Sequence, residues 1–309
     1  MRTQIQKKMK DKILVLVGEH MIHRALHKFD NMKSASGKPS GAVFGFFRIF
    51  RSLVFQLTPD KVIITFDNGR APLRTSLCPS YKGHRIHLGH DLEIFLEQKT
   101  SILRGLKALR VPYIYDQDKK LGYEGDDFIA RVTKELSQNN KIIIVSGDKD
   151  FIQLIDKNVM VYHPTKLYIN SANSLEQMGY TPSECVDYLS LMGDKSDDIP
   201  GYRGMGEKKI RKFLDSFGSI DNFLSDPNNS FSGIERDKLE ELRCTNKKMI
   251  DLNWFIEEGN PTSYDQIESV TKKLNKPIRE DIFHQICQEY SMRSLMEPSF
   301  IEPIKKLKR

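Results

Sequence analysis

Eight carboxylates, Asp67, Glu124, Asp126, Asp127, Asp148, Asp150, Asp194 and Asp197, recur in pairs where apolar segments end. Acids gathered from such positions into one pocket repel one another, and a set of hard oxygen donors ionises together only around divalent cations such as Mg²⁺ or Mn²⁺. The surrounding charge suggests what those metals would act on. Lys plus Arg number 48 and Asp plus Glu 41, so the net charge is +7 even with the eight acids included. The excess of basic residues must lie elsewhere on the surface. An acidic pocket in a basic surface suits a metal enzyme acting on polyanions, although the net charge alone fits general solubility equally well.

The elements that would position these acids can be read from apolar periodicity. Three β-branched runs, Ile13 to Val17, Val62 to Phe66 and Ile142 to Val145, are separated by stretches with helical spacing. This order predicts a parallel α/β sheet. Phe46, Phe50, Leu53, Val54 and Leu57 share one helical face, as do Phe128, Ile129, Val132 and Leu136, and both faces are expected to cover the sheet. Asp67 follows one strand directly, and Asp148 and Asp150 follow another through Ser146 and Gly147. The carboxyl ends of parallel strands are where ligands gather. Glu124, Asp126 and Asp127 open a helix after Gly122, where the helix dipole favours acids even without a metal.

Two further segments bear on function. Tyr81 to Leu109 leads from Lys82, His84, Arg85 and His87 into a helix with Leu92, Phe95, Leu96, Ile102, Leu103 and Leu106, either a cover over the active edge of the sheet or a surface helix. Beyond Tyr180 helical spacing dominates, and GYRGMGEKKIRKFL, from Gly201 to Leu214, joins a Gly-x-Gly turn to a basic helix. Glycines permit close backbone approach, and the N–H groups of a helix N-terminus suit a phosphate, so this stretch is expected to grip a nucleic-acid backbone as a helix-hairpin-helix. The length allows one or two domains. Cys78, Cys185, Cys244 and Cys287 are widely spaced and read as reduced thiols. No apolar stretch long enough for a signal peptide or membrane span follows the Lys-bearing start, Met1 to Lys12, so the location reads as cytoplasmic.

Four stretches in fixed order resemble the 5′ nuclease family of flap endonucleases, phage 5′ to 3′ exonucleases and the nuclease domain of bacterial DNA polymerase I. They are FDNGRAPLRTSLCPSYKGHR (66–85), GYEGDDFIA (122–130), VSGDKDFIQLI (145–155) and LMGDKSDDIPGYRGMGEKK (191–209). The absence of polymerase sequence makes the chain most similar to the phage members, which would place it in the cytoplasm of a host cell. The resemblance implies a parallel-sheet, PIN-like core over residues 1–180, with an arch near 81–110. It also implies a mainly helical DNA-binding region over 181–309, with the hairpin near 200–214 and a basic tail at Lys305, Lys306, Lys308 and Arg309.

By the same resemblance, Asp67, Glu124 and Asp126 look like ligands of a first metal, with Asp127 near both metals, and Asp148, Asp150, Asp194 and Asp197 look like ligands of a second. Lys82 and Arg85 match residues that steer the scissile phosphate, Tyr81 an aromatic that stacks on a terminal base, and Arg24 and Arg70 DNA contacts. Gly204, Gly206, Lys208 and Lys209 match a hairpin on duplex DNA, often with a bound K⁺. Two Mg²⁺ or Mn²⁺ ions roughly 4 Å apart would activate water for in-line attack and neutralise the leaving oxygen. The implied activity is two-metal cleavage of 5′ flaps and of duplex 5′ ends, including RNA-DNA hybrids at primers in DNA replication, by a monomer.

The chain departs from the family seriously at one place, and in a minor way at Asp198, which stands where the family usually has Asn. Val17 stands where the first strand should end in a ligand Asp. Three readings remain open at this stage: one fewer ligand, Glu19 reaching back from the next turn, or an impaired nuclease that binds flap or branched DNA. A metal-dependent ribonuclease with a similar sheet would share the acids but not the hairpin.

Overall fold

The computed structural model describes residues 11–67, 71–83, 89–116, 122–254 and 277–308. The chain runs β1 Lys12–Val17, α1 Gly18–Phe29, α2 Gly41–Leu57, β2 Lys61–Thr65, α3 Pro72–Leu77, α4 Gly89–Ala108, β3 Tyr113–Ile114 and α5 Gly125–Leu136. There follow β4 Lys141–Val145, a 3₁₀ turn over Lys149–Leu154, β5 Val159–His163, β6 Leu167–Ile169, α6 Ser174–Met178 and α7 Cys185–Met192. The remaining helices are α8 Glu207–Phe217, α9 Ile220–Ser225, α10 Arg236–Ile250, α11 Glu280–Glu289 and α12 Pro298–Lys305.

The sheet has the order β3-β2-β1-β4-β5-β6, parallel from β3 through β5, with β6 antiparallel at the edge. The central strand β1 has no solvent face: Leu14 and Leu16 join one apolar cluster and Val15 and Val17 the other. Burial on both sides is why its sequence is continuously apolar instead of alternating. One cluster is completed by Phe128, Ile129 and Val132 of α5, and the other by Phe46, Phe47 and Phe50 of α2. β1 turns straight into α1 at Gly18, where a Cβ would lie 2.2 Å from the Phe66 ring, so only glycine lets this turn approach β2.

Two expectations change. The helix after the basic loop is not simply a cover, because Ile102 and Leu106 of α4 are fully buried and Gly105 lies against the Phe47 ring, where a Cβ would be 2.4 Å from it. Residues 277–308, expected to continue the helical region, return instead to the α/β core. Phe283 of α11 packs edge-on to Phe47 at 5.1 Å between centroids and stacks on Phe300 of α12. The basic tail is held as well: the Lys308 amide donates to the Asp60 carbonyl at 2.7 Å, and its ammonium pairs with Asp11 and Asp60 at 2.8 Å. Arg309 lies outside the described residues.

Candidate active site

The acids converge at the carboxyl ends of the strands. Asp67 follows β2, and its Oδ1 accepts the Gly125 amide at 2.5 Å. Glu124 is the N-cap of α5 and forms a capping box with Asp127, satisfying two of the free amides at the helix start. Asp148 and Asp150 follow β4 in a tight turn: Asp148 N donates to the Ser146 hydroxyl and Asp150 N to Asp148 Oδ1, each at 3.0 Å.

Asp194 and Asp197 sit in a loop closed by reciprocal Asp194–Ile199 backbone bonds of 2.8 Å. Glycines make the closure possible. Gly193 has φ +75° and ψ 174°, a conformation restricted to glycine, and a Cβ there would lie 2.3 Å from Gly201 N. Gly193→Ala is therefore expected to cost about 1–3 kcal/mol or more of stability, read by urea denaturation. An unchanged midpoint would show that the loop does not need this glycine.

Cations thread the acids. Lys82 is buried with φ +53°, its amide donates to the Asp197 carbonyl at 3.1 Å, and its Nζ donates to Glu124 Oε2 at 2.8 Å and lies 3.8 Å from Asp197 Oδ2. Lys149 Nζ lies 3.2 Å from Asp194 Oδ2. Lys99, from the middle of α4, donates to Glu19 Oε1 and to the Asp67 carbonyl, each at 2.5 Å. Arg74 of α3 holds Asp127 with two bonds of 2.7 and 2.8 Å and reaches Glu124 at 3.4 Å.

These contacts bear on two expectations. Both Asp127 oxygens accept from Arg74, and one also accepts the Glu124 amide at 2.9 Å, so Asp127 is buried and bonded to Arg74 in this structure. Tyr81 is 3% exposed and donates its hydroxyl to Glu124 Oε2 at 2.8 Å, so it offers no ring face on which a base could stack.

Burial would push Glu124 up, but Arg74 and Lys82 outweigh it and hold the carboxyl below its usual range. Burial also opposes charge on Lys82, and Glu124, Asp197 and Asp126 more than compensate, raising its pKa. Asp126 is pushed well above the ordinary range by burial and then by Asp148 and Asp67, and Asp150 likewise by burial, Asp148 and Asp194. This donor set carries more negative charge than its ammonium groups offset, and it consists of oxygen alone, which fits a hard divalent cation. As folded here, no group of three or more His, Cys, Asp or Glu closes around a single point among the described residues. Several acids are drawn towards lysines instead.

The remaining expected contacts are more dispersed. Arg24 is exposed on α1. Gly204 has φ +83°, and a Cβ on it or on Gly206 would meet nothing within 4 Å, so the backbone in front of α8 is open. Lys208 is exposed and Lys209 half-buried, and Arg211 anchors α8 to Glu184. Arg70 and Arg85 lie outside the described residues. Arg74, Lys99 and Lys149 were not singled out from the sequence. Arg74 lies inside a recognised stretch, but nothing local marks its partners, which are 50 and 53 residues away.

Residues 12–181 match the model of the 5′-3′ exonuclease N-terminal resolvase-like domain, and residues 180–255 that of the 5′-3′ exonuclease C-terminal SAM fold. The chain belongs to the 5′-3′ exonuclease family. Its members are hydrolytic, metal-dependent nucleases. A 5′-3′ exonuclease of Buchnera aphidicola is 31% identical over 290 residues, covering 92% of this chain and 94% of that one. DNA polymerase I of Thermus aquaticus is 33% identical over 220 residues, 70% of this chain but only 25% of the polymerase. Among solved structures, the T5 D15 protein co-crystallised with metal ions has a TM-score of 0.66 at 18% identity, covering 93% of this chain and all of that one. The catalytic core of Rad2 in complex with DNA substrate gives 0.54 at 18%, covering 98% and 94%. These two likenesses show that this 5′-3′ exonuclease shares their fold. No helix among the described residues is long and apolar enough to cross a membrane.

Proposed function

We propose that this 5′-3′ exonuclease cleaves 5′ flaps and shortens 5′ ends of branched DNA and of RNA-DNA hybrids during DNA replication, acting as a monomer in the cytoplasm. The observation that carries this reading is the crowding of Asp126 by Asp148 and Asp67, and of Asp150 by Asp148 and Asp194, beside a Lys82 ammonium that lies 2.8 Å from Glu124 Oε2 and 3.8 Å from Asp197 Oδ2. Asp67, Glu124 and Asp126 would hold one Mg²⁺ or Mn²⁺, and Asp148, Asp150, Asp194 and Asp197 another. Bound there, the ions supply water activation and neutralise the leaving oxygen.

The chain's own residues do the rest. Lys82 is held by its strained backbone, by Asp197 and by Glu124, so its ammonium is preorganised to meet charge developing on a phosphate. Arg85 is proposed for the same task, and Arg24 and Arg70 for the strand beside it. The open backbone at Gly204 and Gly206, followed by Lys208 and Lys209, suits a duplex phosphate and a K⁺ ion. A division near residue 180 would leave the sheet and most of the acids in the nuclease core, with duplex grip and two of the proposed ligands, Asp194 and Asp197, in the hairpin-bearing helical region.

The test is a labelled 5′-flap substrate with and without Mg²⁺. Cleavage is expected to vanish in EDTA and to fall by about 10²-fold or more in Asp148→Asn. Robust activity without divalent metal would sink the reading, and so would tight flap binding with no cleavage at any Mg²⁺ concentration, which would favour a binding protein impaired by Val17.

A further inference from the structure

We infer that Glu19 supplies the carboxylate that position 17 lacks, and that Lys99 is the resident ammonium holding Glu19 in place until a divalent ion takes over. The inference rests on the metal-dependent reading above and deepens it. Val17 is 4% exposed and lies in the apolar cluster of Val15, Tyr81, Tyr123 and Phe128, so position 17 offers no oxygen. Two residues on, in the first turn of α1, Glu19 is buried and turned towards β2: its Oε2 accepts the Asp67 amide at 2.8 Å. Glu19 is thus bonded to the residue whose own carboxylate follows β2, which places both acids at one corner of the site.

Lys99 completes that corner by donating to Glu19 Oε1 and to the Asp67 carbonyl at 2.5 Å. Its side chain is largely buried, with 12% exposure. Desolvating an ammonium and a carboxylate together is costly, and the pair gives no more stability than apolar side chains of similar size would. The same arrangement recurs twice at the site, with Lys82 on Glu124 and Lys149 on Asp194. In each case a monovalent cation sits on an acid proposed to bind metal. At Glu19, a divalent ion carrying twice the charge on a smaller centre would displace the Lys99 ammonium. A plain strap tying α4 to α1 and β2 is the competing account.

Isothermal titration with Mn²⁺, alongside thermal melts in EDTA, separates the two for wild type, Glu19→Gln and Lys99→Met. Both substitutions keep side-chain size. Glu19→Gln is expected to weaken Mn²⁺ binding about tenfold or more, at least the effect of losing an outer-shell partner. Lys99→Met is expected to lower the melting temperature in EDTA and yet tighten Mn²⁺ binding several-fold. Mn²⁺ affinity unchanged in Glu19→Gln, or unchanged or weakened in Lys99→Met, overturns the inference and leaves a strap. A wild-type protein that binds no Mn²⁺ and cuts no flap would instead overturn the functional reading and this inference with it.

Discussion

Asp126→Asn is expected to abolish flap cleavage while making the metal-free protein more stable. Asp126 is crowded by Asp148, Asp67 and Glu124, and the cation that offsets them, Lys82, is hydrogen-bonded to Glu124. Asparagine keeps the shape and removes the charge. In EDTA, relief of this repulsion is expected to contribute on the order of 1 kcal/mol or more, about 1 kcal/mol being the bulk-water value for like charges about 4 Å apart. With saturating Mg²⁺ the order reverses, because ligand binding stabilises the folded state and the variant binds the ion less well. Turnover is expected to fall by about 10²–10³-fold or more. Paired melting curves in EDTA and Mg²⁺, with flap cleavage, read all three effects. An Asn variant less stable than wild type in EDTA would mean that Asp126 is held by attractive contacts and is no metal ligand in waiting.

Arg74→Met carries the largest expected cost to the fold. Arg74 is 2% exposed and binds both oxygens of Asp127 and one of Glu124. Methionine removes the cation and leaves two buried carboxylates, which is expected to cost about 3–5 kcal/mol. Lysine is a poor replacement, since a single ammonium does not reproduce the planar two-bond fork. Glu124 would keep Lys82 and Tyr81, so the site is expected to distort at Asp127 first. Chemical denaturation reads the loss, and a change below about 1 kcal/mol would show that the network contributes little to stability.

β1, β2 and β4 were legible because a strand buried on both faces needs an unbroken β-branched run, and Ile13 to Val17, Val62 to Phe66 and Ile142 to Val145 provide one. β3 is two residues long, Tyr113–Ile114, and only its pairing with β2 makes it a strand. β6 is set by its antiparallel pairing with β5. The acids were legible from their places after strands and at a helix start, but their partners were not. The stacking role of Tyr81 comes from the family resemblance alone, and only the 43-residue separation closed by the fold turns its hydroxyl to Glu124. The Arg74 partner of Asp127 was hidden for the same reason, since nothing local marks an acid paired with an arginine 53 residues away. Lys99 lies mid-helix in a stretch with several charges, and its partners, Glu19 and Asp67, are 80 and 32 residues away in the chain.

The Gly193–Gly201 pinch has a consequence for how this enzyme can be divided. It lies beyond residue 181, on the far side of the seam between the two family modules, yet it delivers Asp194 and Asp197 into the first module's pocket, and the Asp197 carbonyl receives the Lys82 amide from across that seam. With Asp194 and Asp197 as proposed ligands, the border between the family modules and the border of the proposed catalytic unit do not coincide. A fragment cut at the seam would leave one piece with the sheet and six of the eight acids, and the other with the hairpin and the remaining two, Asp194 and Asp197, so the proposed metal site would be complete only after the two pieces reassemble.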